Sequence, residues 1–291
     1  RLSRAGGSYL PQRYLLEKYY LMSLLQRLIK RLDLQQRETD VYVGGSGEGG
    51  VTENARLFGG MVAAQATMAA QLSVDDFPLH SLHAYFLRPG RPNAEIVFEV
   101  TRAKEGKNFR ARNVSAIQNN EIIFQLQASF QREEPGVVHQ DTAPALVDPK
   151  SLPNRDQLRG RERWREMPID VRMATEITGS EKLPPDQQIY VRANGDLPVD
   201  PKIHLAMVVY ASDRSLLDTA WRPHADKGKQ SGASLDHSMW FHQPPIFNEW
   251  LLYDLHSPAA RAGRGLAFGA MYNLSGERVV SIAQEGVMRL R

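Results

Sequence analysis

The side chains able to do chemistry concentrate in one short stretch and at two outlying positions. Residues 234–242 hold Ser234, Asp236, His237, Ser238, Trp240 and His242: hydroxyls, a carboxylate, two imidazoles and an indole within nine positions. A Ser-His-Asp relay would need these types. Successive strand side chains point to opposite faces, however, so Asp236 and His237 cannot form one by adjacency. Residues 232–236, Gly-Ala-Ser-Leu-Asp, are not a nucleophile elbow either, because Asp236 replaces the closing glycine of Gly-x-Ser-x-Gly. One face of the stretch must therefore meet groups from elsewhere in the chain.

Asp213 and Gln284 are the two outlying candidates. Leu205, Val209, Asp213 and Leu216 fall on one helical stripe. A carboxylate on an apolar stripe is costly unless hydrogen-bonded, and such groups often mark sites. A helix ending at Ser212 would instead leave Asp213 as a solvated turn residue paired with Arg214. Gln284 lies on the core-facing side of a strand, where an unpaired amide costs about 1–3 kcal/mol. The histidines carry less. His80 and His83 point to opposite faces of one strand, which argues against a shared metal. His237, His242 and His256 read as strand histidines satisfied within the fold.

These residues need a scaffold, and 291 residues supply an ample core. Apolar residues at 42% and charged residues at 24% describe a globular protein. The net charge of +3 and pI near 9.1 do not argue for nucleic acid without a clustered patch, and fit an anionic substrate equally well. No cysteine is present, which excludes disulfides, thiolate catalysis and Cys-ligated zinc. No apolar run approaches the roughly 18 residues of a membrane span. Residues 1–21 precede Met22 and read as an upstream extension or a vector remnant, their early arginines also suiting a transit peptide. The C-terminal residues 288–291 carry no peroxisomal tripeptide.

Leucines at helical spacing predict a helix over 22–33. Gly45, Gly47 and Gly50 match Gly-x-Gly-x-x-Gly only formally; the preceding strand is short, no βαβ unit follows, and a turn is expected. The uncharged run 59–72 predicts a buried helix, followed by strands at 79–87, 95–102, 109–118 and 121–131. Residues 132–185 are proline-punctuated and charged, with one short basic helix near 156–166, and read as a linker. The pattern then recurs: a strand at 188–193, a helix over 203–217, and strands at 234–242, 249–256, 264–273 and 277–289. Tyr85-Phe86-Leu87-Arg88-Pro89 lies over Trp240-Phe241-His242-Gln243-Pro244 at an offset of 155. Glu121-Ile122-Ile123-Phe124 lies over Glu277-Arg278-Val279-Val280 at 156, and the helices match near 145. The fold class is α+β, two helix-wrapped-by-antiparallel-sheet modules at 22–131 and 186–291. The halves differ tellingly. Ala128 stands where the second half has Gln284, and Thr67 or Met68 where it has Asp213.

Leu57-Phe58-Gly59-Gly60, residues 80–90, Tyr210-Ala211-Ser212-Asp213, residues 235–242 and Gln284-Glu285-Gly286-Val287-Met288-Arg289 together resemble the acyl-CoA thioesterase II family. The resemblance runs from about Met22 to the end and implies a double hotdog fold. It also implies a catalytic set of Asp213, Ser234 and Gln284, with Ser234 replacing the family's usual threonine, and no cofactor or metal. The implied function is hydrolysis of fatty acyl-CoA to fatty acid and CoA by an activated water. Its alternatives are a hotdog acyl-CoA hydratase or dehydratase, in which His237 or His83 would matter more, and a non-catalytic acyl-CoA-binding module. Further expectations are an acyl-CoA partner, no nucleic acid, no membrane span, a homo-oligomer (dimer or tetramer) through exposed sheet edges, and a cytoplasmic location if the chain is bacterial.

Overall fold

The computed structural model describes residues 22–45, 56–161, 164–175, 182–224 and 230–290. Residues 1–21 and most of the glycine-rich loop, including Gly47 and Gly50, lie outside them. Ser23 opens α1 (Leu24–Leu32) with a capping box: its hydroxyl accepts from the Gln26 N–H at 3.1 Å while the Gln26 side chain accepts from the Ser23 N–H at 2.9 Å. After β1 (Gln35–Glu38) and β2 (Val41–Gly45) comes α2 (Gly59–Leu72), buried from Gly60 to Gln71 as its uncharged small residues predict. The expected strands follow as β3 (Leu79–Phe86), β4 (Glu95–Glu105), β5 (Phe109–Gln118) and β6 (Glu121–Gln131). Asn119 and Asn120, both at positive φ, close the β5–β6 hairpin, a conformation asparagine tolerates.

The stretch 132–185 holds more than a connection. Within it lie a single turn, α3 (Arg155–Leu158), and a strand, β7 (Ile169–Met173), paired antiparallel to β8 (Asp186–Ala193). Ile169, Val171 and Met173 alternate with Asp170 and Arg172 as a strand requires, but the prolines and charges on either side obscure the pattern. Asp170 is nevertheless buried, accepting from Arg172 Nε at 2.9 Å and Asn154 Nδ2 at 2.8 Å. The basic helix expected over 156–166 stops after α3, where Gly160 adopts a left-handed φ. Next come α4 (Pro201–Ser212), α5 (Leu216–Trp221), β9 (Gln230–Ser234), β10 (Asp236–Phe241), β11 (Leu251–Arg261), β12 (Arg264–Tyr272) and β13 (Arg278–Leu290). The helix expected over 203–217 is thus two helices, and the strand expected over 234–242 is two strands. No helix among the described residues is long and apolar enough to cross a membrane.

One antiparallel sheet runs β1-β2-β4-β5-β6-β3-β10-β13-β12-β11-β8-β7, with β9 also on β13. The second half repeats the order of the first in reverse, and the halves join edge to edge at β3–β10, where Tyr85 faces Asp236 and Ser81 faces Trp240. The duplication holds in register: Tyr85 pairs with Gln125, and its counterpart Trp240 pairs with Ser281. Even the register shifts recur, at Ala116/Ile117 and Met271/Tyr272. The first of them turns Ile122, expected on the core face, outward. This is the double hotdog, each half wrapping one apolar helix. α2 and α4 pack against each other in opposite directions. Gly60 at the start of α2 meets Asp213 at the end of α4, and Gln71 in α2 donates to the Lys202 carbonyl in the first turn of α4 at 3.2 Å. Gly60 to Lys202 and Gln71 to Asp213 are both 142 residues apart. The counterpart of Asp213 is therefore Gln71 rather than Thr67 or Met68.

Candidate active site

The site grows from the end of α4. The helix stops at Ser212, as the solvated-turn reading required, yet Asp213 at its C-cap is not left to water. Asp213 Oδ1 accepts from Ser234 Oγ at 2.8 Å and from Gln284 Nε2 at 2.7 Å. Oδ2 accepts from the Gly60 N–H at 2.8 Å. That amide is an orphan donor of the first turn of α2, where the helix dipole also favours an anion. The carboxylate of one half is thus held by the helix start of the other.

Gly59 and Gly60 allow this approach. A Cβ on Gly59 would stand 3.1 Å from Asp213 Oδ2 and 2.7 Å from the Phe86 ring. On Gly60 it would stand 2.8 Å from the Tyr210 carbonyl and 2.6 Å from the Phe58 ring. Gly60→Ala is therefore expected to push α2 from α4, destabilising the fold by about 1–3 kcal/mol and lowering turnover. Denaturant unfolding and kcat measure both, and an unchanged midpoint would contradict the packing described.

Ser234 reaches Asp213 only because the strand is broken. β9 sets Ser234 opposite Gly286, whereas β10 sets Ser238 opposite Ala283, so the register slips by one residue at Leu235. In β10, His237, Met239 and Phe241 face the core and Asp236, Ser238 and Trp240 do not. Unbroken alternation would turn Ser234 outward with Asp236. The slip returns it to the inner face, the way a bulge re-aims a side chain beside a site. Asp236 fixes the slip, accepting from the Glu285 N–H at 2.6 Å, while the Leu235 N–H donates to the Glu285 carbonyl at 2.9 Å.

Gln284 is buried on the inner face of β13, opposite the alternation of Glu285 and Ala283. Asp213 and Ser234 line a cavity of about 660 Å³ whose walls include Leu57, Phe58, Val62, Phe86, Ile123 and Leu217; Gln284 bonds Asp213 without lining it. Arg56 and Arg88 also line it, both well exposed.

The other histidines lie elsewhere. His80 Nε2 meets Ser129 Oγ at 2.8 Å, His83 Nδ1 meets Ser238 Oγ at 3.0 Å on the outer sheet face, and His242 Nε2 meets Ser281 Oγ at 2.9 Å. Among the described residues no cluster of three carboxylate or imidazole groups could hold a metal. Ser212 and Tyr253, behind Asp213, go unmarked in the sequence, and His237, which reads there as a satisfied strand histidine, joins them. His237, 1% exposed, places Nε2 2.8 Å from Ser212 Oγ. Burial holds its pKa below the ordinary value, against the pull of Asp213 and Asp236. Tyr253, fully buried, donates to the Ser212 carbonyl at 3.1 Å. Burial raises the pKa of this phenol well above its ordinary value, and Asp213 adds to the rise. At the helix offset of 142 set by the Gly60–Asp213 and Gln71–Lys202 contacts, Ser212 stands against Ala70, a polar-for-apolar exchange.

An acyl-CoA thioesterase family model matches residues 161–287, and a model of the N-terminal domain of such thioesterases matches residues 49–131. Acyl-coenzyme A thioesterase 8 of Mus musculus is 37% identical over 89% of this chain and 88% of its own length. Acyl-CoA thioesterase 2 of Haemophilus influenzae is 35% identical over 92% of this chain and 99% of its own. The crystal structure of acyl-CoA thioesterase II TesB2 from Mycobacterium marinum, 37% identical, aligns with a TM-score of 0.77 over 91% of this chain and 98% of that one. Identity at this level along nearly the whole of both chains, joined to the same two-module fold, means that this chain belongs to the acyl-CoA thioesterase family.

Proposed function

We propose that this chain hydrolyses fatty acyl-CoA thioesters to free fatty acid and CoA, with Asp213 as the base for the attacking water. The convergence of Ser234 and Gln284 on Asp213, which with Ser234 lines a cavity of mixed polar and apolar walls, carries the reading. Oδ1 already takes two donors, whereas Oδ2 takes one and keeps a lone pair for a water proton. Gln284 retains a second N–H and Ser234 its oxygen lone pairs, so the three groups can orient one water toward the thioester carbon. The Gly59 amide, at the same helix start, is suited to polarise the thioester oxygen as negative charge develops there. Water then adds to the carbonyl carbon, the C–S bond breaks, and the proton taken by Asp213 passes to the CoA thiolate. No acyl-enzyme is needed.

A hydratase reading loses ground because His83 lies on the outer face, bonded to Ser238, and His237 is bonded to Ser212 rather than to Asp213. Incubation with palmitoyl-CoA and a thiol reagent is expected to release free CoA. Binding without release would leave only the non-catalytic module. Among the described residues the sheet ends at β1 and β7 with unpaired edges, which supports assembly into a homo-oligomer, a dimer or tetramer.

A further inference from the structure

We propose that His237 and Tyr253 are positioning residues for the hydrolysis: through Ser212 they hold the end of α4 from which Asp213 reaches the substrate. This rests on the assignment of Asp213 above. Both polar groups of Ser212, the residue before Asp213, are gripped by different strands. The Ser212 hydroxyl donates to the Val209 carbonyl at 2.9 Å, so its one proton is committed and His237 Nε2 donates to Ser212 Oγ. The Ser212 carbonyl, an orphan acceptor of the last helical turn, takes the Tyr253 hydroxyl. A helix terminus is where a chain frays most easily, and here two strand side chains clamp it.

The first half of the chain is the internal control. By the register of the duplicated sheet, His237 corresponds to Leu82 and Tyr253 to Phe98; by the helix offset, Ser212 corresponds to Ala70. All three first-half residues are buried and apolar. A fourth exchange completes the set. Gly269 stands where the first half has Val114, and a Cβ there would run into the Tyr253 ring. Removing that side chain makes room for a phenol where a phenyl ring sufficed before. One step beyond the Ser238–Ala283 pair, His237 also lies opposite Gln284, just as Leu82 lies opposite Ala128. Polar groups are costly to bury. At the helix end that carries Asp213 they replace apolar ones; at the matching end that carries Gln71 the buried Arg112 holds Ser73 instead, donating to its hydroxyl at 2.9 Å and to its carbonyl at 3.1 Å. Each helix end is thus held by buried polar groups, and in the second half they hold the residue that precedes Asp213.

The test uses the first half's own residues. Tyr253→Phe removes one oxygen, and His237→Leu removes the imidazole. Each is expected to lower kcat for palmitoyl-CoA about tenfold, with KM within about twofold, since a small displacement of a reacting group costs turnover rather than binding. His237→Gln keeps an N–H donor for Ser212 and should recover most of the loss. The double variant Tyr253→Phe/His237→Leu should lose less than the product of the two, because both act through Ser212. Wild-type kcat in folded Tyr253→Phe or His237→Leu would overturn the proposal, as would a His237→Gln no better than His237→Leu. If His237→Leu does not fold, Tyr253→Phe alone decides. Asp213→Asn is measured alongside. Full activity there would overturn the reading of the site itself, whereas an inactive Asp213→Asn beside fully active Tyr253→Phe and His237→Leu would overturn only the positioning role.

Discussion

Asp213→Asn is expected to lose about two or more decades of kcat, the cost of removing a general base. The variant changes no volume, but it cannot be electrically neutral to its surroundings. Oδ1 faces two donors, Ser234 and Gln284, and Oδ2 faces the Gly60 N–H. An amide offers one oxygen, and turning it toward Ser234 and Gln284 sets its NH₂ against the Gly60 N–H. One donor pair is left facing, at about 1–3 kcal/mol, which a fold stable by about 5–15 kcal/mol survives. A lower denaturant midpoint together with lost turnover is the expected pair of results. Near-normal turnover in the folded variant would remove Asp213 from the role of base.

Gln284→Ala is expected to remove most activity with little loss of stability. Its Nε2 makes one bond, to Asp213 Oδ1, and its Oε1 is buried with no partner in the protein. Deleting the amide therefore removes an incompletely satisfied buried group, which offsets the bond lost. Alanine is what the first half carries here, at Ala128, so the resulting core face is one this fold already accommodates. The reverse exchange, Ala128→Gln, should create no second site. The matching helix position is Gln71, an amide engaged with Lys202 and unable to serve as base. Ala128 is fully buried opposite Leu82, so a glutamine there should destabilise by about 1–3 kcal/mol through overpacking and an unpaired amide. Measuring kcat and denaturant midpoints for both variants separates the outcomes. A Gln284→Ala enzyme with full activity and an early midpoint would make Gln284 a structural strand residue.

Some of this was legible from residues alone. Alternation along 95–102 and 121–131 located strands, and the uncharged run 59–72 located a buried helix, because the period of a side-chain pattern is local and fixes which face is inward. The repeat offsets of 155 and 156 predicted the duplicated sheet register. Gln284 stood out because it broke an apolar pattern where Ala128 does not, and Asp213 because it broke the apolar stripe of its own helix, although its counterpart Gln71 is polar too.

Other features depended on elements distant in sequence and left no local trace. The start of α2 meets the end of α4 only because the two helices pack in opposite directions, and that contact turned Asp213 from a turn residue into a carboxylate with three donors. Ser234 faces inward through the slip at Leu235, which is held by Glu285 on β13 rather than by its own neighbours. His237 and Tyr253 reveal themselves only by touching Ser212, a residue on a different element. The sequence by itself determined which residues form helices and strands and which faces are apolar, since those follow from the spacing of neighbours. Which polar groups meet was decided by the tertiary structure, since a hydrogen bond between elements depends on register and approach to within an ångström.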